Sequence, residues 1–274
     1  MIRLLTAARL SPASLVRVFQ RSNKTVSISP SASYAAAFNE SLKNPQQFWA
    51  NAAKQINWSK QWETVLDNTN APFNKWFAGG ALNTCYNAVD RHVENGRGNQ
   101  LALIYDSAMT KTQRMWTFAQ LQEEVGYFSG ALANLGVSKG DSVVIYMPMV
   151  PEAVVAMLAC ARIGAIHSVV FGGFAAHELA VRIDDIKPRL IVSASCGLEP
   201  GRVLPYKPLL DHALEISEHK PQRCVILQRP ELQASLKTGR DVEWSTAVKH
   251  ANAKYECVPV NATDPLYVLY TSGM

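Results

Sequence analysis

The last residues of the chain carry the side chains best suited to phosphate chemistry. An apolar run over residues 266–270 leads directly into Thr271, Ser272 and Gly273. Hydroxyl groups donate hydrogen bonds to phosphate oxygens, and glycine lets backbone N–H groups approach and turn around them. The three residues therefore predict the first half of a phosphate-binding loop at the tip of a buried strand. Thr-Ser-Gly alone is also compatible with an ordinary turn.

Other reactive residue types are better explained as structure. The five cysteines form no CxxC pair and the six histidines show no HxxxH or HExxH spacing, so we predict packed thiols and no metal site. His167 is predicted to be a packed or hydrogen-bonded core histidine, and the helix dipole explains Arg162. Gly172-Gly173 indicates either a close backbone approach or a tight turn. The absence of GxGxxG after any strand argues against a dinucleotide dehydrogenase.

From about residue 100, the elements that must position these residues alternate between strands and helices. The predicted strands span 101–105, 113–117, 142–147, 166–171, 189–194, 223–227 and 266–270. The first predicted helix begins at a capping box formed by Thr117 and Gln120 and ends at Gly136. Three further helices are predicted over 151–164, 175–186 and 209–218. This alternation predicts an α/β fold, with a mainly parallel sheet and helices on both faces. Ligands of such sheets bind beyond the carboxyl ends of the strands.

The segment before residue 98 has a different character. Five of the six tryptophans occur by position 116. Apolar spacing predicts a helix over residues 48–62, and a second, short helix follows residue 82 and ends at Asn95-Gly96. We predict that the aromatic side chains form a docking surface packed on the main domain rather than a ligand site.

The basic charge of the chain is concentrated in its first residues. Residues 1–39 contain five basic residues and no acidic one, and without these five the 27 basic residues fall to 22, equal to the 22 acidic ones. A neutral body argues against a nucleic-acid surface. A start rich in arginine and serine predicts a mitochondrial transit peptide, with a disordered basic tail as the alternative. No apolar run reaches the length of a membrane span.

Two longer stretches carry a family resemblance. Residues 144–153 (VIYMPMVPEA) and 157–174 (MLACARIGAIHSVVFGGF) resemble acetyl- and propionyl-CoA synthetases. Residues 270–273 resemble the opening of the phosphate loop of adenylate-forming enzymes, which continues there with further Thr, Gly and Lys, whereas Met274 follows here. Residues 34–93 resemble the N-terminal extension of the short-chain branch. The chain is identified as a member of the AMP-forming short-chain acyl-CoA synthetases, most similar to the mitochondrial propionate type.

The resemblance implies the N-terminal part of the large domain of adenylate-forming enzymes, preceded by a helical extension. The implied organisation is a transit peptide over 1–30, the extension over 31–98, and a partial adenylation domain over 99–274. The implied location is the mitochondrial matrix. The implied substrates are a short-chain carboxylate, ATP and CoA, with Mg²⁺ as cofactor. We expect no nucleic-acid partner and no segment that spans a membrane.

The resemblance also implies that Glu199, Pro200, Gly201 and Arg202 lie near the nucleotide end of CoA. Arg202 suits a phosphate because its guanidinium donates two parallel hydrogen bonds, although it is also compatible with a solvated loop cation. Acetate-type members carry a second arginine where Glu199 stands, and an acid beside a phosphate repels it. We therefore expect this loop to hold CoA less tightly than in those members.

Members of this family place their acyl pocket and catalytic lysine after the phosphate loop. The resemblance therefore implies no catalytic residue within these 274 residues, and we expect the chain not to catalyse the full reaction by itself. The alternative is a non-catalytic fragment that binds CoA or a partner protein. The sequence leaves acetate and propionate equally open as substrates.

Overall fold

A computed structural model describes residues 34–173, 175–251 and 254–271 of the chain. The chain divides into two units, one up to Ala53 and one from Lys54 onwards. In the described part of the first unit, helix α1 (Tyr34–Lys43) is followed by α2 (Pro45–Ala53). Proline suits the first turn of α2 because its φ is fixed and it lacks an N–H. The predicted leader, residues 1–30, lies outside the described residues.

The second unit contains all the strands of the described residues. These strands are β1 (Thr64–Asp67), β2 (Lys75–Ala78), β3 (Ala81–Leu82), β4 (Leu101–Ser107), β5 (Thr112–Thr117), β6 (Ser142–Met147), β7 (Ile166–Phe171), β8 (Leu190–Ala194), β9 (Cys196–Glu199), β10 (Arg202–Pro205), β11 (Arg223–Leu227), β12 (Asp241–Glu243) and β13 (Val260–Asn261). The helices are α3 (Phe118–Asn134), α4 (Pro151–Ile163), α5 (Ala176–Ile186), α6 (Tyr206–Ile216) and α7 (Trp244–Lys249), with π-helical turns at Tyr86–Asp90 and Val93–Arg97.

A five-stranded parallel sheet in the order β12-β11-β8-β6-β7 forms the centre of this unit. The predicted parallel sheet is thus confirmed. Strands β6, β7 and β11 have the predicted bounds, and β8 begins one residue later than predicted. Long apolar runs mark these strands clearly because helices cover both faces of the sheet. The carboxyl ends of β6, β7, β8 and β11 lie at the same edge.

Alternate residues of β6 face two separate hydrophobic cores. Val143 and Ile145 pack in the core that includes residues of α3 and α4, whereas Val144 and Tyr146 pack in the core that includes residues of α5 and α6. All four side chains are fully buried. Burying an aliphatic side chain of this size stabilises a fold by about 1.5–3 kcal/mol. Strand β6 therefore holds both helical layers together.

The ends of the helices follow local signals in the sequence. The Thr117 hydroxyl accepts a hydrogen bond from the Gln120 N–H at 3.2 Å, and the Gln120 side chain accepts one from the Thr117 N–H at 2.9 Å, so the predicted capping box is confirmed. Helix α4 begins at Pro151 and ends at Ile163, and Gly164 caps it with φ +74°. No helix among the described residues combines the length and apolar composition needed to cross a membrane.

The predicted helix over residues 48–62 was wrong, because α2 ends at Ala53. The rings of Trp58 and Trp62 instead pack against Phe77, with centroid distances of 5.3 and 5.2 Å. The apolar spacing in this segment therefore reflects an aromatic cluster rather than a helical face. Pairing of β3 with β13 joins this segment to the rest of the second unit.

Candidate functional site

The four residues predicted to bind CoA form a tight hairpin at the carboxyl edge of the sheet. The chain leaves β8 at Ala194 and turns back through β9 and β10, with Pro200 and Gly201 at the turn. Gly201 has φ +77°, in the left-handed region that glycine adopts at little steric cost. Glu199 and Arg202 stand directly opposite each other in the antiparallel register.

Glu199 and Arg202 form an ion pair at the tip of this hairpin. The Nε and Nη2 atoms of Arg202 lie 2.7 and 2.6 Å from the same Glu199 oxygen, Oε2. The two side chains are 41% (Glu199) and 67% (Arg202) exposed. Exposed ion pairs of this kind contribute about 0–1 kcal/mol, so a phosphate group can compete for the guanidinium. Glu199 thus acts in two ways against a bound phosphate, by repulsion and by occupying Arg202.

A single tyrosine ring fixes the base of the hairpin to the loop after β7. An added Cβ at Gly172 would lie 2.3 Å from the ring of Tyr206, and one at Gly197 would lie 2.5 Å from its hydroxyl oxygen. Neither position can carry a side chain unless Tyr206 moves. Of the two interpretations of Gly172-Gly173, the close approach is confirmed at Gly172. The packing brings this loop and the hairpin together at one edge of the sheet.

The predicted strand over residues 266–270 was wrong in extent. Only one bridge forms, between His167 and Tyr267, and it is parallel. The His167 N–H donates to the Leu266 carbonyl at 3.3 Å, and the Val268 N–H donates to the His167 carbonyl at 2.9 Å. Tyr267 and Leu269 are 55% and 67% exposed. The apolar run predicted a buried strand, but among the described residues nothing covers its outer side.

The residues predicted to hold phosphate follow this segment. The Tyr270 hydroxyl donates to the Asp185 carboxylate, and the guanidinium of Arg182 lies 5.0 Å from the centre of the Tyr270 ring. These contacts attach the segment to the last turns of α5. Thr271 is exposed. Ser272 and Gly273 lie outside the described residues, so the phosphate loop stays a prediction.

His167 is a packed, uncharged histidine. Its Nδ1 atom and the neighbouring Ser168 hydroxyl are buried with no hydrogen-bond partner among the described residues. Burial lowers the pKa of His167 to about 4, so the ring is neutral at pH 7. Its centre lies 5.8 Å from that of the Tyr267 ring. The predicted core role is consistent with this packing.

Arg162 lies in the last turn of α4, as the helix-dipole interpretation requires, but the dipole does not explain it fully because this residue also forms a buried ion pair. Its Nη1 atom lies 2.9 and 2.8 Å from the two carboxylate oxygens of Asp90. The side chains are 4% and 7% exposed. Arg162 also donates to the Tyr255 carbonyl, and Gln122 donates to Asp90 at 2.8 Å. No sequence signal links Arg162 to Asp90, which lies 72 residues earlier.

The cysteines fall into two groups. Burial raises the pKa of Cys160 and of Cys224 to about 12, as expected for the packed thiols that were predicted. Cys85 and Cys257 instead lie beside Asp90, with their Sγ atoms 3.9 and 3.6 Å from its Oδ2 atom. These two residues therefore contact a buried polar group, although Cys85 belongs to the hydrophobic core and Cys257 packs against it.

A cavity of about 490 Å³ lies beside the base of the hairpin and helix α6. Inside it, the Lys207 ammonium group is already paired with Asp211 at 2.5 Å and with Asp241 at 3.0 Å. Glu215 adds a further negative charge to the lining. Among the described residues, the one ammonium group of the cavity lining is therefore already engaged by carboxylates. The exposed guanidinium of Arg202 on the hairpin is therefore the better candidate for a nucleotide phosphate.

Comparison with known proteins agrees with this architecture. Residues 89–273 match the family described as AMP-binding enzyme, which is more than half of the chain. The chain belongs to the AMP-binding enzyme family. Residues 34–88 match a second family, described as acetyl-coenzyme A synthetase N-terminus. The two matched segments meet inside the π-helical turn that holds Asp90.

Among members of the AMP-binding enzyme family, the chain is similar to short-chain acyl-CoA synthetases. It is 48% identical over 254 residues to human acyl-CoA synthetase short-chain family member 3, mitochondrial, a match that covers 92% of this chain and 37% of the relative. It is 44% identical over 242 residues to the propionate–CoA ligase of Escherichia coli, covering 88% and 38%. The chain thus spans little more than a third of the length of these relatives.

Comparison with a solved structure supports the fold. The acetoacetyl-CoA synthetase of Streptomyces lividans matches with a TM-score of 0.78 and 25% sequence identity, and the match covers 88% of this chain and 36% of that structure. The predicted fold, the N-terminal part of the large domain of adenylate-forming enzymes, is therefore confirmed.

Proposed function

We propose that this member of the AMP-binding enzyme family serves the AMP-forming ligation of a short-chain carboxylate, acetate or propionate, to CoA. The observation that carries the proposal is the exposed Arg202 at the carboxyl edge of the sheet, on a hairpin held in place by Tyr206. Ligands of parallel sheets bind at this edge. The similarity to short-chain acyl-CoA synthetases supports the substrate class.

The proposed reaction has two steps. The carboxylate attacks the α-phosphate of ATP and releases pyrophosphate, and the CoA thiol then displaces AMP from the acyl-adenylate. Negative charge develops on phosphate oxygens, so hydrogen-bond donors and cations lower the barrier. In this chain the backbone and hydroxyl groups of Thr271, Ser272 and Gly273 would donate to those oxygens. Mg²⁺ supplies additional charge neutralisation when bound.

The hairpin would hold the nucleotide part of CoA. The Arg202 guanidinium can turn from Glu199 to a CoA phosphate, because breaking an exposed ion pair costs little. Pro200 and Gly201 keep the turn compact, so that the ligand can approach the backbone there. The hairpin residues would therefore position CoA, whereas the chemical step belongs to groups elsewhere in the site.

We further propose that these 274 residues bind CoA without completing the reaction, since the resemblance places the acyl pocket and catalytic lysine after the phosphate loop. We also propose that the protein acts in the mitochondrial matrix. The acid-free basic residues 1–39 and the mitochondrial name of the human relative support this location.

Calorimetric titration tests the proposal. The purified chain should bind CoA and should bind pantetheine, which lacks the nucleotide phosphates, at least tenfold more weakly. Equal affinity for the two ligands would contradict a phosphate contact at Arg202. ATP–pyrophosphate exchange with propionate provides the second measurement. Clear turnover by these residues would contradict the proposal that they do not complete the reaction.

A further inference from the structure

Cys85 and Cys257 are distant in the sequence and adjacent in the structure. Their Sγ atoms lie within 4.8 Å of each other. Both thiols lie within hydrogen-bonding distance of one oxygen, Oδ2 of Asp90, at 3.9 and 3.6 Å. Because the two sulfurs share a single acceptor, they are held on the same side of the carboxylate. We propose that Cys85 and Cys257 form a reversible disulfide on oxidation, so that the pair is a thiol-modification site.

The charges around the pair favour a nucleophilic sulfur at Cys85. The Nη1 atom of Arg162 lies 3.7 Å from the Cys85 Sγ atom. A hydrogen bond from Cys257 and, to a smaller degree, the charge of Arg162 lower the pKa of Cys85, against the opposing effects of burial and of the Asp90 carboxylate. The thiolate is the reactive form of cysteine in disulfide chemistry. The packed Cys160 is the opposite case, since burial raises its pKa to about 12.

Cys85, Asp90 and Cys257 are residue types that ligate metals, but the positive charge of Arg162 already balances the Asp90 carboxylate. Arg162 donates to both oxygens of Asp90 and also lies beside Cys85. A guanidinium held in this way supplies the positive charge that a metal ion would bring. Oxidation of the two thiols needs no further cation and leaves the Arg162–Asp90 ion pair in place.

An oxidant can reach the two thiols from the side of Cys257, which is the more exposed of the pair. Cys85 is fully buried, whereas Cys257 is only partly buried. Cys257 lies in an irregular segment before β13, outside any helix or strand. A small oxidant can therefore approach past Cys257. Disulfide formation requires the two sulfurs to move from within 4.8 Å to the bonding distance of about 2.05 Å.

With hydrogen peroxide as the oxidant, the step balances. The Cys85 thiolate attacks one peroxide oxygen, the O–O bond breaks, and hydroxide leaves, giving a sulfenic acid at Cys85. The Cys257 sulfur then attacks the Cys85 sulfur and displaces hydroxide. The Cys257 thiol proton and one proton from solvent convert the two hydroxides to water. The two thiols are oxidised to one disulfide and one peroxide is reduced to two waters.

The disulfide would join two distant parts of the chain beside the last turn of α4, at the amino ends of the parallel strands. Cys85 lies in the segment that matches the acetyl-coenzyme A synthetase N-terminus, next to the π-helical turn that contains Asp90. Cys257 lies shortly before the segment that pairs with β7 and leads to Thr271. Oxidation would therefore tie the segment that precedes β13 covalently to the segment that contains Asp90.

Peptide mapping tests the proposal. The purified full chain is treated with hydrogen peroxide, its remaining thiols are alkylated, and the digest is analysed by mass spectrometry without reduction. We expect a linked Cys85–Cys257 peptide pair, loss of two of the five free thiols, and recovery of both with dithiothreitol. Other pairings, or unlinked Cys85 and Cys257 at peroxide concentrations that oxidise other thiols, would overturn the proposal.

Cysteine-to-serine variants identify the two residues that form the linked peptide. Cys85→Ser and Cys257→Ser should each abolish the linked peptide, whereas Cys224→Ser, a matched change at a packed thiol, should retain it. If a serine beside Asp90 impairs folding, the peptide map of the oxidised, unsubstituted chain still shows whether Cys85 and Cys257 are linked. A linked peptide that survives either of the first two changes would come from another cysteine and would contradict the proposal.

Discussion

Two of the arginine–carboxylate pairs among the described residues have similar distances and opposite surroundings. Arg162 and Asp90 approach to 2.8 Å with side chains 4% and 7% exposed, whereas Arg202 and Glu199 approach to 2.6 Å with side chains 67% and 41% exposed. Distance alone therefore does not distinguish them. Water screens the hairpin pair and lets it exchange partners, whereas the buried pair is shielded from water and held by further hydrogen bonds from Arg162 to the Tyr255 carbonyl and from Gln122 to Asp90. The exposed hairpin pair suits ligand binding, and the buried pair suits a structural role.

Breaking the buried pair should have the largest effect. Asp90→Asn would leave the guanidinium of Arg162 buried without its counter-charge, which costs about 3–5 kcal/mol of unfolding free energy. Urea denaturation followed by circular dichroism measures this loss. Glu199→Gln is the matched control at the exposed pair and should change stability by less than about 1 kcal/mol. Similar losses in both variants would refute the distinction between the two pairs.

His167 extends the comparison to a buried group with no counter-charge. Its pKa is lowered to about 4 in the folded chain, below the unfolded value of about 6.5. The unfolded state therefore binds more protons between these values, so stability is complete above about pH 6.5 and falls as the pH drops towards 4. The expected loss is at most about 3 kcal/mol.

The variant His167→Phe keeps a ring of similar shape and removes the titration. Its unfolding free energy should vary less between pH 7 and pH 4 than that of the unsubstituted chain, by roughly 3 kcal/mol. Parallel pH profiles for the two chains would show that His167 does not carry this dependence.

Removing the exposed arginine should affect binding rather than stability. Arg202→Ala would lose charge-assisted hydrogen bonds to a CoA phosphate, worth about 1.5–3 kcal/mol, so CoA affinity should fall roughly 10- to 100-fold. Lys249→Ala, which removes one positive charge from an exposed position on α7, is the matched control and should leave the affinity unchanged. Calorimetry reports both. Unchanged CoA binding in Arg202→Ala would exclude the hairpin as the phosphate site.

Neutralising the partner of Arg202 should have the smallest and opposite effect. Glu199→Gln removes both the repulsion of a phosphate and the competition for the guanidinium, which together amount to about 1 kcal/mol at an exposed site. CoA should therefore bind about fivefold more tightly, and the gain should shrink as salt is added. A weaker affinity in this variant would indicate that Glu199 contacts the ligand directly.

Local signals predicted the sheet more accurately than the site. The apolar runs of β6 and β7 gave the correct bounds, and the Thr117 capping box placed the start of α3. The apolar run over residues 266–270 looks the same in sequence, but its burial depends on what lies against it. The aromatic cluster around Trp58 was mistaken for a helix because its spacing imitates one.

The sequence by itself determined the α/β fold and the family, because strand runs, caps and motifs are local in the chain. Only the tertiary structure decided which arginine is buried against Asp90, which cysteines meet, and that Tyr206 requires glycine at positions 172 and 197. Each of those contacts joins distant parts of the chain, or rests on how far a side chain is removed from water. Packing sets both quantities, and no short pattern of residues records them.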